Sequence, residues 1–390
     1  MIDVARARDE TPGCRSVAHL NNAGAALQPK PVLDAVLSHL GLEARIGGYE
    51  AADRNAEAVE RPYRALAELL NCSAAEMAVM ESATRAWQAA FLSVALEPGD
   101  RVLTSAAEYG SNYLQMLHSA ARRGVSVEVV PDDESGQVSV DALADALDER
   151  VKLVAVTHVP TGGGLVNPAP AVGRLARAAG ALYLLDACQS IGQVPIDVDE
   201  VGCDFLAATS RKYLRGPRGV GLLYARATTA GQLEPALPDL RSATWEAADR
   251  YAFRPDARRF EAWEMPMAAK IGLGVAVDYA LAWGLPDIWD RVRRLADELR
   301  HRLAELPGVA VHDLGVERCG IVTFSVRRRD PEEVRRSLGA AGVNVSVAEA
   351  GSARLDFDRR HLAAVVRASV HYYNDDADLD RCCRAVAALA

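Results

Sequence analysis

Asp204-Phe-Leu-Ala-Ala-Thr-Ser-Arg-Lys-Tyr-Leu-Arg-Gly-Pro-Arg-Gly-Val-Gly-Leu-Leu-Tyr224 is the stretch that decides how this chain folds. Its apolar runs, Phe205 to Ala208 and Val220 to Tyr224, predict buried strands. The glycine- and proline-marked turn between them gathers Thr209, Ser210, Arg211, Lys212, Arg215 and Arg218. Lysine is scarce here: the chain has only Lys30, Lys152, Lys212 and Lys270 among 44 lysines and arginines. An amine can shed its proton and attack a carbonyl, whereas a guanidinium stays charged. Beside Arg211, the ammonium form of Lys212 is disfavoured by a like charge, which suits an imine-forming lysine.

Upstream, Ala181-Leu-Tyr-Leu-Leu-Asp-Ala-Cys-Gln189 reads as a continuous apolar strand that ends in Asp186. A carboxylate in such surroundings is costly to bury without a cationic partner. Met77 to Met80 predicts another buried strand, followed by a polar turn into the helical stretch Glu81 to Phe91. The first N–H groups of such a helix face outward, which makes Ala83 and Thr84 candidates for an anion site. Thr84 equally suits an ordinary N-cap. The strand Arg101 to Ser105 delivers Glu108-Tyr109-Gly-Ser-Asn112 past its carboxyl end, where ligands of open α/β sheets bind. Lys152 to Val159 continues the alternation of strand and helix that marks a parallel sheet.

Taken together, Ser210-Arg-Lys-Tyr-Leu-Arg-Gly-Pro-Arg-Gly-Val-Gly221, the Asp186 segment and Val366-Arg-Ala-Ser-Val-His-Tyr-Tyr-Asn374 resemble class V aminotransferase-fold enzymes, which bind pyridoxal 5′-phosphate (PLP). The resemblance runs from about residue 20 to about residue 380 and is strongest to isopenicillin N epimerase-like proteins and ergothioneine-type C–S lyases. Cysteine desulfurases and kynureninase stand further off. It implies an α/β architecture, the PLP-dependent transferase fold type I, with a large domain on a mostly parallel seven-stranded sheet and a smaller α+β C-terminal domain. The expected division is 16–263 for the large domain, with 1–15 and 264–390 in the small one.

The resemblance also implies roles. Lys212 would hold PLP through its amine and later take the substrate's α-proton, and Asp186 would pair with the ring nitrogen. Ala83, Thr84, Thr209 and Arg211 would hold the phosphate, Tyr109 would stack on the ring, and Gln189 would bond its phenolic oxygen. Thr161, where relatives carry asparagine, would lie near that oxygen or the substrate. Arg367 matches the arginine that grips the substrate α-carboxylate. Asn22 in the Leu20-Asn-Asn-Ala-Gly24 segment and Tyr49 in Gly47-Gly-Tyr-Glu50 would line the substrate side. Many relatives have Gly-Thr where this chain has Trp263-Glu264, and a glutamate cannot donate to a phosphate across a dimer. Trp263 is therefore expected to shape the substrate pocket of a homodimer.

Half of the 390 residues are apolar, enough for a large core, and the net charge of −9 argues against nucleic acid or an anionic membrane as partner. Seven cysteines lack metal-ligand spacing, so no metal site is expected, and reduced thiols fit a cytoplasmic protein. Persulfide-forming desulfurases need a cysteine shortly before the carboxylate arginine, and Val345 to Phe357 has none. The expected activity is a PLP-dependent lyase of secondary metabolism that cleaves the C–S bond of a cysteine S-conjugate by β-elimination. The alternative is an aminotransferase, epimerase, or decarboxylating or oxidatively deaminating enzyme on a cysteine-conjugated or other amino-bearing natural-product intermediate.

Overall fold

The computed structural model describes all 390 residues. A two-residue strand β1 (Ala18–His19) precedes a seven-stranded sheet formed by β2 (Met77–Met80), β3 (Arg101–Ser105), β4 (Ser126–Val130), β5 (Val151–Thr157), β6 (Leu182–Asp186), β7 (Phe205–Thr209) and β8 (Gly221–Ala225). Their spatial order is β2-β8-β7-β6-β5-β3-β4. The pairings among β3 to β7 are parallel, and β8 runs antiparallel to both β7 and β2. The mostly parallel sheet expected from the sequence is therefore present.

The strands fold this way because their apolar runs serve two cores at once. Leu153, Ala155, Leu184, Phe205, Ala207 and Leu223 pack on one side of the sheet. Their neighbours Val154, Val156, Leu185, Leu206, Ala208 and Leu222 pack on the other. Side chains alternate across a strand, so an unbroken apolar run buries both faces, and helices must cover each.

A hairpin of β9 (Ala243–Ala247) and β10 (Arg250–Phe253) leaves Trp245 and Tyr251 exposed. Beyond it, β11 (Val309–Val311), β12 (Ile321–Val326), β14 (Ser346–Glu349) and β15 (Ala364–Ser369) form an antiparallel sheet in the order β11-β12-β15-β14. Helix Pro331–Ala340 packs on it, and Asp376–Ala387 packs against that helix, as the expected α+β layer. The short strand β13 (Val343–Asn344) pairs in parallel with β1, so residues 18–19 reach over to the C-terminal unit. Helix Met267–Trp283 packs against Lys30–Ile46 and Ala56–Leu70, so the break at 264 in the expected division is not a break in packing.

The parallel strands bring their carboxyl ends to one edge. Thr157 ends β5 opposite Asp186, which ends β6, and Asp186 in turn lies opposite Ala207 of β7, two residues before Thr209. Whatever follows these strands shares one pocket.

Candidate active site

That pocket forms where β2, β3, β5, β6 and β7 hand over to their loops. One wall is the start of helix Ala83–Ser93, with Ala83 and Thr84 on the lining. Ser82, not Thr84, is the N-cap: its hydroxyl accepts from the Arg85 N–H at 3.2 Å, which leaves Thr84 free to face the cavity. The beginning of β8 presses against this turn, and a Cβ at Gly221 would lie 2.4 Å from the Ala83 nitrogen. Only glycine permits that approach, which tucks the lysine-bearing loop beneath an anion-ready helix end.

Lys212, Thr209 and Arg211 line the opposite wall. Burial pushes the Lys212 amine down to about 8, with the Cys188 thiol opposing and the Arg211 charge adding to the shift. Desolvation is thus a larger cause than the neighbouring arginine that the sequence pointed to. The loop is pinned from behind by Arg215, a fully buried residue with φ of +61°. Its guanidinium donates to the Leu27 carbonyl at 2.9 Å, the Tyr372 hydroxyl at 2.6 Å and the Thr11 hydroxyl at 2.6 Å. Tyr213 is held by His371, whose Nδ1 accepts from the Tyr372 N–H at 2.9 Å, so its Nε2 carries the proton and donates to the Tyr213 carbonyl at 3.0 Å. Two residues that follow Lys212 are therefore tied to the C-terminal unit.

Asp186 lies at the end of β6, nearly fully buried. It accepts from the Cys188 N–H at 2.9 Å and from the Asn112 amide at 2.8 Å. No arginine or lysine is within ion-pair distance of it, although the Lys212 amine shares its pocket and feels its charge. Gln189 also lines the pocket; its Nε2 donates to the Ala23 carbonyl at 3.1 Å and its Oε1 is buried without a partner. Tyr109 stands exposed at the mouth. A lysine amine, a carboxylate with no ion-pair partner and a helix N-terminus on one pocket fit the aldehyde, ring nitrogen and phosphate of PLP.

Thr161 lines the pocket, and Arg367, expected at the site, does not line it but lies buried in contact with Thr161. Arg367 Nη1 donates to the Thr161 hydroxyl at 2.6 Å and to its carbonyl at 3.1 Å, while Nε donates to the Ser346 hydroxyl at 3.1 Å. The same Thr161 hydroxyl meets the Gln189 amide at 3.4 Å. Thr161 therefore links Gln189 to Arg367, whose guanidinium burial pushes down to about 10.

Three expected residues lie elsewhere. Asn22 is fully buried, and its amide is committed to the Ser369 carbonyl at 2.7 Å and the His19 carbonyl at 3.2 Å, with Tyr373 donating to its oxygen. It ties the chain's beginning to its end and does not face the pocket. Tyr49 is 75 % exposed on the short helix Gly48–Arg54, and Trp263 is 55 % exposed; neither lines the pocket of this chain. Conversely, Cys188 does line it, although nothing in its spacing from other cysteines marked it. Its signal was position, two residues past Asp186 at a strand end.

Against known proteins, the profile of the aminotransferase class-V family matches residues 18–382. The chain belongs to the class V aminotransferase family. As a member it is a PLP-dependent enzyme of fold type I, in keeping with the pocket's chemistry. A relative from Methanothermobacter thermautotrophicus, named a probable cysteine desulfurase, is 30% identical over 381 residues, covering 95% of this chain and 94% of the relative. In fold, the chain is similar to the apo structure of cysteine desulfurase from Thermococcus onnurineus, with a TM-score of 0.92, 24% identity and coverage of 100% of this chain and 98% of the other. It is also similar to the cystine C–S lyase C-DES in complex with its reaction product cysteine persulfide, with a TM-score of 0.87, 21% identity and coverage of 97% and 99%. The first two carry the desulfurase name, a group that the sequence resemblance placed further off.

Proposed function

We propose that this class V enzyme is a C–S lyase that cleaves a cysteine S-conjugate by β-elimination, of the kind found in the ergothioneine-type lyase branch. The observation that carries this reading is the loop at the pocket mouth. Gly351 and Ser352 sit directly against Gly110, beside Tyr109: a Cβ at Gly110 would come within 2.6 Å of the Gly351 carbonyl. This segment follows β14, which pairs Ser346 with Arg367. A sulfur-accepting thiol would be needed there, and residues 345–357 contain none. The pocket's own Cys188 is a poor substitute, because burial and the neighbouring Asp186 charge push its thiol well above the ordinary range. The desulfurase name of the 30% relative supports C–S chemistry without supplying that thiol.

The overall reaction takes the conjugate and one water to a thiol, pyruvate and ammonium. When bound, PLP supplies an electron sink for the substrate's α-carbon. Arg367, oriented by Thr161 and Ser346, binds the α-carboxylate and fixes which bond at Cα faces Lys212. The Lys212 amine, about half unprotonated at pH 8, removes the α-proton. Asp186 keeps the ring nitrogen protonated. A homodimer is the setting in which Tyr49 and Trp263, exposed on one chain, would meet the substrate.

The test is a product assay on the PLP-loaded protein with a panel of cysteine S-conjugates and free cysteine. Stoichiometric pyruvate and thiol, with no sulfur left on the protein by mass spectrometry, is the expected result. Alanine plus a persulfide at Cys188 would show a desulfurase instead, and a keto acid other than pyruvate or an epimerised substrate would show one of the alternatives.

A further inference from the structure

Behind Asp186 lies a second carboxylate that none of these roles uses. Glu108 is 3% exposed, just past the end of β3, and no cation pairs with it. Five donors converge on it instead. Its Oε1 accepts from the Thr157 hydroxyl at 2.6 Å, the Asn112 amide at 2.8 Å and the Tyr109 N–H at 2.9 Å. Its Oε2 accepts from the Thr157 N–H at 3.1 Å and the Thr104 hydroxyl at 3.1 Å. A carboxylate buried without a counter-ion is destabilising, and so many aligned donors on one is the mark of a group kept for its position.

Asn112 connects the two acids. Its Nδ2 lies 2.8 Å from Glu108 and 2.8 Å from Asp186 Oδ2, so the two hydrogens of one amide are divided between them. Carboxylate oxygens accept on both sides, which fixes the amide's nitrogen end in this orientation. We propose that Glu108 is a positioning residue for the ring-nitrogen partner Asp186, acting through the Asn112 carboxamide. Glu108, clamped by β3, β5 and the start of helix Gly110–Arg123, sets the amide, and the amide sets the plane of the Asp186 carboxylate. The Cys188 N–H holds the other oxygen at 2.9 Å, leaving one direction in which the acid can meet a cation. The same chain of bonds runs through the Tyr109 N–H, so the acid proposed to meet the ring nitrogen and the aromatic at the mouth are set by one side chain.

This inference concerns how the protein holds its cofactor and does not rest on which substrate bond breaks. Its test measures binding, not turnover. The affinities of the apo full-length protein for PLP and for 1-deaza-PLP, in which carbon replaces the ring nitrogen, would be measured by fluorescence titration for wild type, Glu108→Gln, Asn112→Ala and the double variant. Each single change is expected to weaken PLP binding about tenfold, the scale of one lost charge-assisted hydrogen bond. Binding of the deaza analogue should stay within about twofold, because that ligand offers Asp186 nothing to orient toward. The double variant should lose no more than the worse single one, as two links of one chain must. Equal weakening of both ligands, or losses that multiply in the double variant, would overturn the proposal in favour of a purely structural role. If Glu108→Gln does not fold, Asn112→Ala decides alone, since it leaves four of the five donors on Glu108: unchanged PLP affinity then refutes the link.

Discussion

Two of the four lysines are buried or half-buried, and they make a controlled comparison. Burial pushes both Lys212 and Lys270 down to about 8. Their surroundings differ. Lys270 is 2% exposed, and its amine donates to the Tyr63 hydroxyl at 2.8 Å. Tyr63 passes the bond on to Glu261 at 2.7 Å, and Glu261 also receives Arg241 at 3.0 Å and the Val79 N–H at 2.9 Å. Lys212 faces a cavity shared with Asp186, Thr84 and Gln189. A perturbed amine is therefore not by itself a nucleophile; what separates the two is whether the protein has already used the amine's hydrogens.

The largest expected effect breaks the comparison at Lys212. Lys212→Ala should lower turnover on the order of 10³-fold, because it removes the base and the covalent anchor together. Borohydride reduction of the PLP-loaded wild type, followed by peptide mapping, should place the label on Lys212 and leave Lys270 unmodified. Label on Lys270 would mean that the Tyr63 network opens in solution and that the distinction drawn above is false.

A smaller effect separates the lysines by stability. Lys270→Met keeps the side-chain volume but leaves the Tyr63 hydroxyl with only the long Arg241 contact at 3.4 Å as a donor, and should cost about 1–3 kcal/mol in urea unfolding of the apo protein. Lys212→Met removes a charge that the fold accommodates without a fixed partner, and should be neutral or stabilising by up to about 1 kcal/mol. PLP capture should survive the first change and not the second. Comparable destabilisation by both would show that Lys212 has a structural partner in solution.

The contrast also marks what the sequence could and could not show. The two-sided apolar strands, Asp186 at a strand end and the lysine turn are local patterns, and each stands where its pattern placed it. Scarcity singled out four lysines and the Arg211-bearing turn marked Lys212 among them, but nothing local shows that Lys270, in an apolar helix, is equally depressed and tied up by Tyr63 and Glu261, which are remote in sequence. Asn22 was misplaced for the same reason. Its neighbours in sequence suggest a turn at the pocket, and its partners are Ser369 and Tyr373, nearly the length of the chain away. Glu108 and Asn112 sit one helical turn apart in a stretch already suspected of lying at the site, yet their shared partner is Asp186, brought in by β6.

The subtlest effect is in the pH dependence. In the folded protein both amines release protons near pH 8, whereas in the unfolded chain they do so near 10.5. Between these values the unfolded state binds more protons, so these two groups make stability rise with pH across the window from about 8 to 10.5. Below pH 8 both states are protonated, and the folded one carries the full burden of two desolvated charges. Replacing Lys270 by methionine removes its share of the rise, so the gap between wild type and Lys270→Met should widen from pH 8 to pH 10 by about 1 kcal/mol per unit at most. Paired urea titrations at the two pH values read that widening directly. A gap that stays constant would mean that the Glu261 charge, relayed through Tyr63, holds Lys270 protonated despite its burial, and Lys212 would then be the single depressed amine in the chain.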